Sequence, residues 1–160
     1  MTRINCIPVQ ELSGPHLVAE YRELPRVFAL AQKAALRGKP SQPEQYVLGK
    51  GHMLFFYTRL AYLARRHAEL IGEMKRRGYK PSFEGIQRKD FPAIPDDYWG
   101  EWTPTPEAMA LNRARIEARS GDRASPGASR HRKASAHSPD GATDASIRLA
   151  NAFPPGMIGL

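Results

Sequence analysis

The stretch AEYRELPRVF, residues 19–28, sets the fold class. Tyr21, Leu24 and Phe28 recur at steps of three and four, the spacing of one face of an α-helix. Followed outward, the same face collects Leu17, Ala31 and Ala35, and a helix is predicted over residues 15–37. Ser13 and Pro15 are start signals, and Gly38 followed by Pro40 is a stop signal. Pro25 has no N–H to donate, so it should kink this helix or divide it after Leu24. A second helix is predicted over residues 51–77, with Gly78 as its C-cap. Its Phe56, Leu60, Leu63, His67, Leu70 and Met74 alternate steps of four and three, a core-facing stripe. Residues 79–104 carry Pro81, Pro92, Pro95 and Pro104, and read as an ordered but irregular connection. A third helix is expected over residues 105–119, with Thr105 as N-cap and Pro106 at its first position. No alternation marks a strand. The fold class is all-α: a single compact domain of three main helices with irregular Pro-rich connections.

The composition changes after Arg119. Residues 120–160 are dominated by small and polar residues, Gly and Pro, with few large apolar side chains to bury. The organisation expected is a helical domain over 1–119 and a flexible polar C-terminal tail over 120–160. No internal repeat is present. The 160 residues carry 24 Lys and Arg against 16 Asp and Glu, a net charge of +8. The tail holds five basic and three acidic residues, a net of +2, which leaves +6 on residues 1–119. Most of the excess belongs to the folded part, and it predicts a polyanionic partner, nucleic acid or an anionic membrane face.

Other classes are disfavoured. No apolar run approaches the ~18 residues of a membrane-spanning helix. The start, Met-Thr-Arg-Ile-Asn, lacks the apolar stretch of a secretory signal. Cys6, the single cysteine, cannot form an internal disulfide or a thiolate zinc site, so a reducing cytoplasm is the expected location.

Opposite the apolar stripe of the first helix lie Arg22, Lys33, Arg26, Ala19, Glu23 and His16, in angular order at about 100° per residue. One carboxylate sits among two arginines and a histidine. Periodicity alone favours a solvated face with an Arg26–Glu23 pair at three-residue spacing, worth a few tenths of a kcal/mol. Thr2 is small, so removal of Met1 is expected, and its α-amine would have a pKa of about 7.7 to 8.0. Arg3 beside it would lower that value by like-charge repulsion. A neutral amine is a competent nucleophile for Schiff-base chemistry, although every chain has an N-terminus.

At these residues the chain resembles the pyrimidine-dimer DNA glycosylases of the phage endonuclease V type, which act on UV-damaged DNA. The matching stretches are MTRIN (1–5), Glu11-Leu12, His16-Leu17 and AEYRELPRVF (19–28). A second block comprises Leu48-Gly49, Gly51-His52, FFY (55–57), ELI (69–71) and, approximately, KRRGY (75–79). A weaker third match is Ala114-Arg115-Ile116 with Arg119.

The resemblance implies a small all-α enzyme that works in two steps. The Thr2 α-amine attacks C1′ of the damaged nucleotide's deoxyribose, breaking the glycosidic bond and forming an imine. β-Elimination from the imine then nicks the strand. The family's catalytic carboxylate falls on Glu23. Its DNA-binding positions fall on Arg3, Arg22 and Arg26, with Arg115 and Arg119 on the third helix, and His16 and Tyr21 match positions near the site. The resemblance also implies a strongly bent duplex with a flipped-out base. The implied partner is damaged double-stranded DNA, met by a monomer in the cytoplasm, in contact with the nucleoid during repair. A carboxylate beside the sugar suits an oxocarbenium-like transition state, and arginines hold phosphates by bidentate contacts. No metal ligand set appears, and the mechanism requires no metal or cofactor.

One departure concerns the C-terminus. The phage enzyme ends in a segment rich in Trp, Tyr and Lys, whereas Phe153 is the only aromatic residue here after Arg119. Besides the dimer glycosylase, two readings therefore stand: an abasic-site lyase or glycosylase for other damaged pyrimidines, and a non-enzymatic basic DNA-binding protein. Trp99 and Trp102 are read as packing the loop onto the core rather than stacking on bases. His52 and His67 are read as hydrogen-bonded core residues, and Cys6 as an unreactive thiol. Lys75-Arg76-Arg77 is read as a solvated helix terminus that complements the dipole. Arg65-Arg66 is left between that role and phosphate contact. In the tail, Arg130, Arg132 and Lys133 could add salt-sensitive DNA affinity, while His131 and His137 suggest no metal site.

Overall fold

The computed structural model describes residues 4–38 and 40–123. Thr2, Arg3 and the tail residues named above lie outside the described residues. The elements are α1 (Gly14–Glu23), α2 (Pro25–Leu36), α3 (His52–Phe56), α4 (Leu60–Arg76) and α5 (Pro106–Arg123). Short 3-10 turns at Val9–Glu11, Arg88–Asp90 and Asp96–Tyr98 punctuate the connections. Among the described residues there is no named strand, only an isolated bridge between Arg59 and Trp99. The fold is all-α.

The first predicted helix is divided where Pro25 requires it. α1 ends at Glu23 and Pro25 opens α2. Leu24 keeps helical dihedrals, φ −58° and ψ −42°, so the break removes hydrogen bonds more than it redirects the chain. The Leu24 N–H still reaches the Glu20 carbonyl at 2.9 Å, and the Val27 N–H closes a tighter turn onto the Leu24 carbonyl at 3.0 Å. Leu17, Tyr21, Leu24, Phe28 and Ala31 are all buried, and Ala35 at the end of the stripe is half-buried.

The second predicted helix is not continuous. It divides into α3 and α4 across residues 57–59, because a distant segment pairs with its backbone. The Gly100 N–H donates to the Thr58 carbonyl at 3.2 Å, and the Tyr62 N–H donates to the Gly100 carbonyl at 3.4 Å. A Cβ on Gly100 would stand 2.4 Å from the Thr58 oxygen, so only glycine permits this approach. Arg59, at φ −129° and ψ 40°, carries the turn. α4 then runs to a Schellman end. Gly78 adopts φ +82°, its N–H reaches the Lys75 carbonyl and the Tyr79 N–H reaches that of Met74.

The α4 stripe of Leu60, Leu63, His67, Leu70 and Met74 is buried throughout, and α1 packs against both α4 and α2. Burying each such Leu contributes about 1.5–3 kcal/mol, which holds α4 in place more than propensity does. Tyr46 stacks on Trp102 with ring centroids 5.7 Å apart. Trp102 meets Phe55 and Tyr62 edge-on at 5.0 Å, and Trp99 packs on Phe28 at 5.8 Å. Both tryptophans therefore pack the irregular connection onto the core. α5 starts as predicted, with Thr105 Oγ1 accepting the Ala108 N–H at 3.2 Å. It continues to Arg123, past the compositional change at Arg119, because a helical backbone bonds to itself without needing side chains to bury.

Candidate active site

The segment 4–7 is buried without belonging to any helix or sheet, so its backbone must find side-chain partners. Each N–H does. The Ile4 N–H donates to His52 Nε2 at 3.1 Å, and that of Asn5 to Glu20 Oε1 at 3.2 Å. Those of Cys6 and Ile7 share Asn112 Oδ1 at 2.8 and 3.3 Å. The Ile7 carbonyl accepts from Arg66 Nη1 at 2.5 Å. α1, α3, α4 and α5 thus each contribute a side chain that fixes the first described residues.

Glu20 and Arg66 form the centre of this arrangement. Nε of Arg66 lies 3.0 Å from Oε1 of Glu20 and Nη2 lies 3.3 Å from Oε2. Their side chains are 3% and 1% exposed for Arg66 and Glu20, so this is an ion pair inside the core. About three turns beyond Arg66, at the C-cap of α4, Arg77 donates to the carbonyls of Leu12 and Gln10 at 2.7 and 2.9 Å. Arg77 is thus a clamp on the N-terminal segment rather than the solvated terminus its position in KRR suggests. Glu73 holds Arg76 and Arg77 in turn. Hydrogen bonds from Arg76 and then Arg77 draw the Glu73 pKa down to about 2.

Outside this layer, α1 and α2 present the polar wedge. Arg22, Arg26, Lys33 and Ala19 are exposed, and Glu23 and His16 are half-buried. Nη1 of Arg26 lies 3.1 Å from both carboxylate oxygens of Glu23. His16 sits in the first turn of α1, its Nδ1 3.0 Å from Ser13 Oγ. On α5, Arg115 is half-buried and donates to Asn5 Oδ1 at 2.9 Å. Arg119 stands one turn further, exposed. The wedge is tied to the N-terminal segment through α1, since Glu23 lies three residues, a rise of about 4.5 Å, beyond Glu20.

One finding from comparison joins this geometry. The family model described as pyrimidine dimer DNA glycosylase matches residues 1–86, more than half of the chain. The chain belongs to the pyrimidine dimer DNA glycosylase family.

For a pyrimidine dimer DNA glycosylase, damaged DNA is the partner. The matched region takes in segment 4–7, the wedge and the buried ion pair, and stops short of α5 with Arg115 and Arg119. Among the sequence-selected site residues, the structure brings Arg22, Glu23 and Arg26 to one outer face and joins Arg115 to segment 4–7. Tyr21 is not brought there. It is buried, stacks on His67 with centroids 5.4 Å apart, and accepts the Phe83 N–H at 2.8 Å.

The core histidines differ. His52 donates from Nδ1 to the Val47 carbonyl at 2.9 Å and accepts at Nε2, so its tautomer is fixed, and burial lowers its pKa. His67 has no well-formed hydrogen bond at either ring nitrogen among the described residues. It is held chiefly by stacking, and burial lowers its pKa against a smaller opposing effect of the Tyr21 backbone. Burial pushes the Cys6 thiol up to about 11, leaving it unreactive.

Sequence reasoning missed Glu20, Asn5, Asn112 and the structural roles of Arg66 and Arg77. A signal was present: Glu20 and Arg66 each lie on the apolar side of their helices, three and four residues from Leu17 and Leu24, and from Leu63 and Leu70. A charge there needs a buried partner. Among the described residues no three metal-ligating side chains converge, and no helix is long and apolar enough to cross a membrane.

Proposed function

We propose that this member of the family excises cyclobutane pyrimidine dimers from duplex DNA and then nicks the strand as an abasic-site lyase. The observation that carries the reading is the anchoring of segment 4–7 beside the wedge. Thr2 stands three positions before Asn5, about 10 Å of extended chain, and Glu23 stands three positions after Glu20, the residue that holds Asn5. Once Met1 is removed, the Thr2 α-amine is within chain reach of the wedge carboxylate.

In the first step the neutral amine donates its lone pair to C1′. The C1′–N bond breaks, its electrons leave with the base, and the base takes up a proton. Ring opening yields a protonated imine. Glu23 stabilises the positive charge that develops on the sugar. In the second step a C2′ proton is lost and the 3′ phosphate departs. Arg22, Arg26, Arg3, Arg115 and Arg119 supply phosphate contacts, and His16 flanks the site. The Arg26–Glu23 pair is a surface pair, worth about 0.2–1 kcal/mol, so an arriving phosphate can recruit Arg26 at little cost. Arginines near the amine also favour its unprotonated form. No step calls on a metal or cofactor, and the protein acts as a monomer. Tyr21, as packed, supports the wedge from behind.

Borohydride reduction during turnover tests this. A covalent adduct on residue 2 is expected with dimer-containing and abasic duplexes, and none with undamaged duplex. Glu23→Gln should slow strand cleavage at least about 100-fold with duplex binding and melting temperature nearly unchanged. Intact mass measurement should find Met1 removed. Absence of any trapped adduct, or full activity with Met1 retained, would overturn the imine mechanism. Cleavage of abasic duplex without dimer excision would favour the lyase alternative, and binding without cleavage an architectural role.

A further inference from the structure

We propose that Asn5 is a positioning residue, whose carboxamide sets the path on which the N-terminal amine meets the deoxyribose. This inference rests on the imine reading proposed above. Asn5 is 4% exposed, so it is not a residue that meets DNA directly. Its side chain is used at both ends. Nδ2 donates to Glu20 Oε2 at 2.7 Å. Oδ1 accepts from Asn112 Nδ2 and from Arg115 Nη2, each at 2.9 Å. A carboxylate on one side and two donors on the other leave only one orientation of the amide.

The consequence is geometric. Asn5 is the residue through which α1 and α5 grip the same point of the N-terminal segment. Arg66 completes the α1 side by holding Glu20, and His52 fixes the next residue toward the amine by accepting the Ile4 N–H. A chain end normally frays. Here the first two described residues, Ile4 and Asn5, are held by directional bonds from separate helices, which restricts where the residues before them can go. Arg115 extends the arrangement outward. A phosphate that moves its guanidinium is felt at Asn5 and so at the amine.

The test is single-turnover trapping with Asn5→Ala at saturating enzyme on abasic duplex, which bypasses lesion recognition. The trapped adduct on residue 2 should form about 100-fold more slowly, the effect expected of a misplacement near 1 Å. The dissociation constant should stay within about threefold, because no phosphate contact is removed. A core variant away from segment 4–7, Met74→Ala on α4, serves as a stability-matched control and should keep the wild-type rate per folded molecule. Where Asn5→Ala does not fold, Asn5→Ser, which retains a polar atom for Glu20, is read by the same criteria. A wild-type rate in the Asn5 variant, a loss confined to binding, or an equal loss in Met74→Ala would each overturn the positioning role while leaving the imine reading intact. Failure of the wild-type protein to trap at residue 2 would overturn both.

Discussion

Replacing Arg66 by methionine isolates the buried charge from the volume it fills. Methionine occupies much of the arginine stem's space, so the main loss is electrostatic. The guanidinium makes two contacts with Glu20, at 3.0 and 3.3 Å, and one with the Ile7 carbonyl at 2.5 Å. Removing one partner of a buried pair costs about 3–5 kcal/mol, because the other charge is left uncompensated. The orphaned carbonyl of Ile7 lies at the same locus, so its penalty of about 1–3 kcal/mol overlaps that figure. A domain of about 120 residues is stable by roughly 6–18 kcal/mol, so Arg66→Met removes a large share. At about 3–6 °C per kcal/mol for this size, the melting temperature should fall by roughly 9–30 °C. Urea unfolding followed by circular dichroism measures the loss. The double variant Glu20→Gln/Arg66→Met should be more stable than Arg66→Met by at least about 1 kcal/mol, since the unpaired carboxylate is gone. A loss below about 1 kcal/mol for Arg66→Met, the range of surface pairs, would refute the reasoning. So would strict additivity in the double variant.

Two further outcomes follow from contacts elsewhere. Gly100→Ala should destabilise by about 1–3 kcal/mol, because its Cβ would meet the Thr58 oxygen at 2.4 Å; chemical denaturation checks it, and a neutral result would mean that the turn between α3 and α4 is not held by this approach. Glu73, held from its ordinary value near 4.5 down to about 2, binds fewer protons folded than unfolded across that window. Its stabilisation is therefore present above about 4.5 and lost as the pH falls toward 2; Glu73→Gln should flatten the melting temperature against pH there, and an unchanged slope would remove Glu73 from the acid response.

The helical stripes were legible because they depend on local spacing alone. Leu17 to Ala31 and Phe56 to Met74 are buried as their periodicity predicts, and Pro25 divides its helix as its missing N–H requires. The division of the second helix was not legible, since its cause, Gly100, lies some forty residues away. For the same reason Arg77 looked solvated: its acceptors, Gln10 and Leu12, are named only by the tertiary fold. The wedge of Arg22, Glu23 and Arg26 could be read from one helix. Its connection to segment 4–7 could not, because it passes through Glu20, Arg66, Asn112 and Arg115 on three helices.

The buried polar layer is costly enough to need a reason beyond stability. An apolar replacement of a buried ion pair is often neutral or stabilising, and Leu or Met in place of Glu20 and Arg66 would suit the surrounding core. What such side chains cannot do is accept the Asn5 N–H, donate to the Ile7 carbonyl or hold the segment's register, because apolar contacts slide where hydrogen bonds do not. A fold that needed only to cover its core could leave residues 1–7 to fray in water. Under the proposed mechanism the chain end is the nucleophile, and a frayed end spreads that nucleophile over many positions, losing the gain of a fixed approach. The Glu20–Arg66 pair and the Asn5 carboxamide are thus best understood together: charge is buried so that the backbone nearest the amine has one place to be.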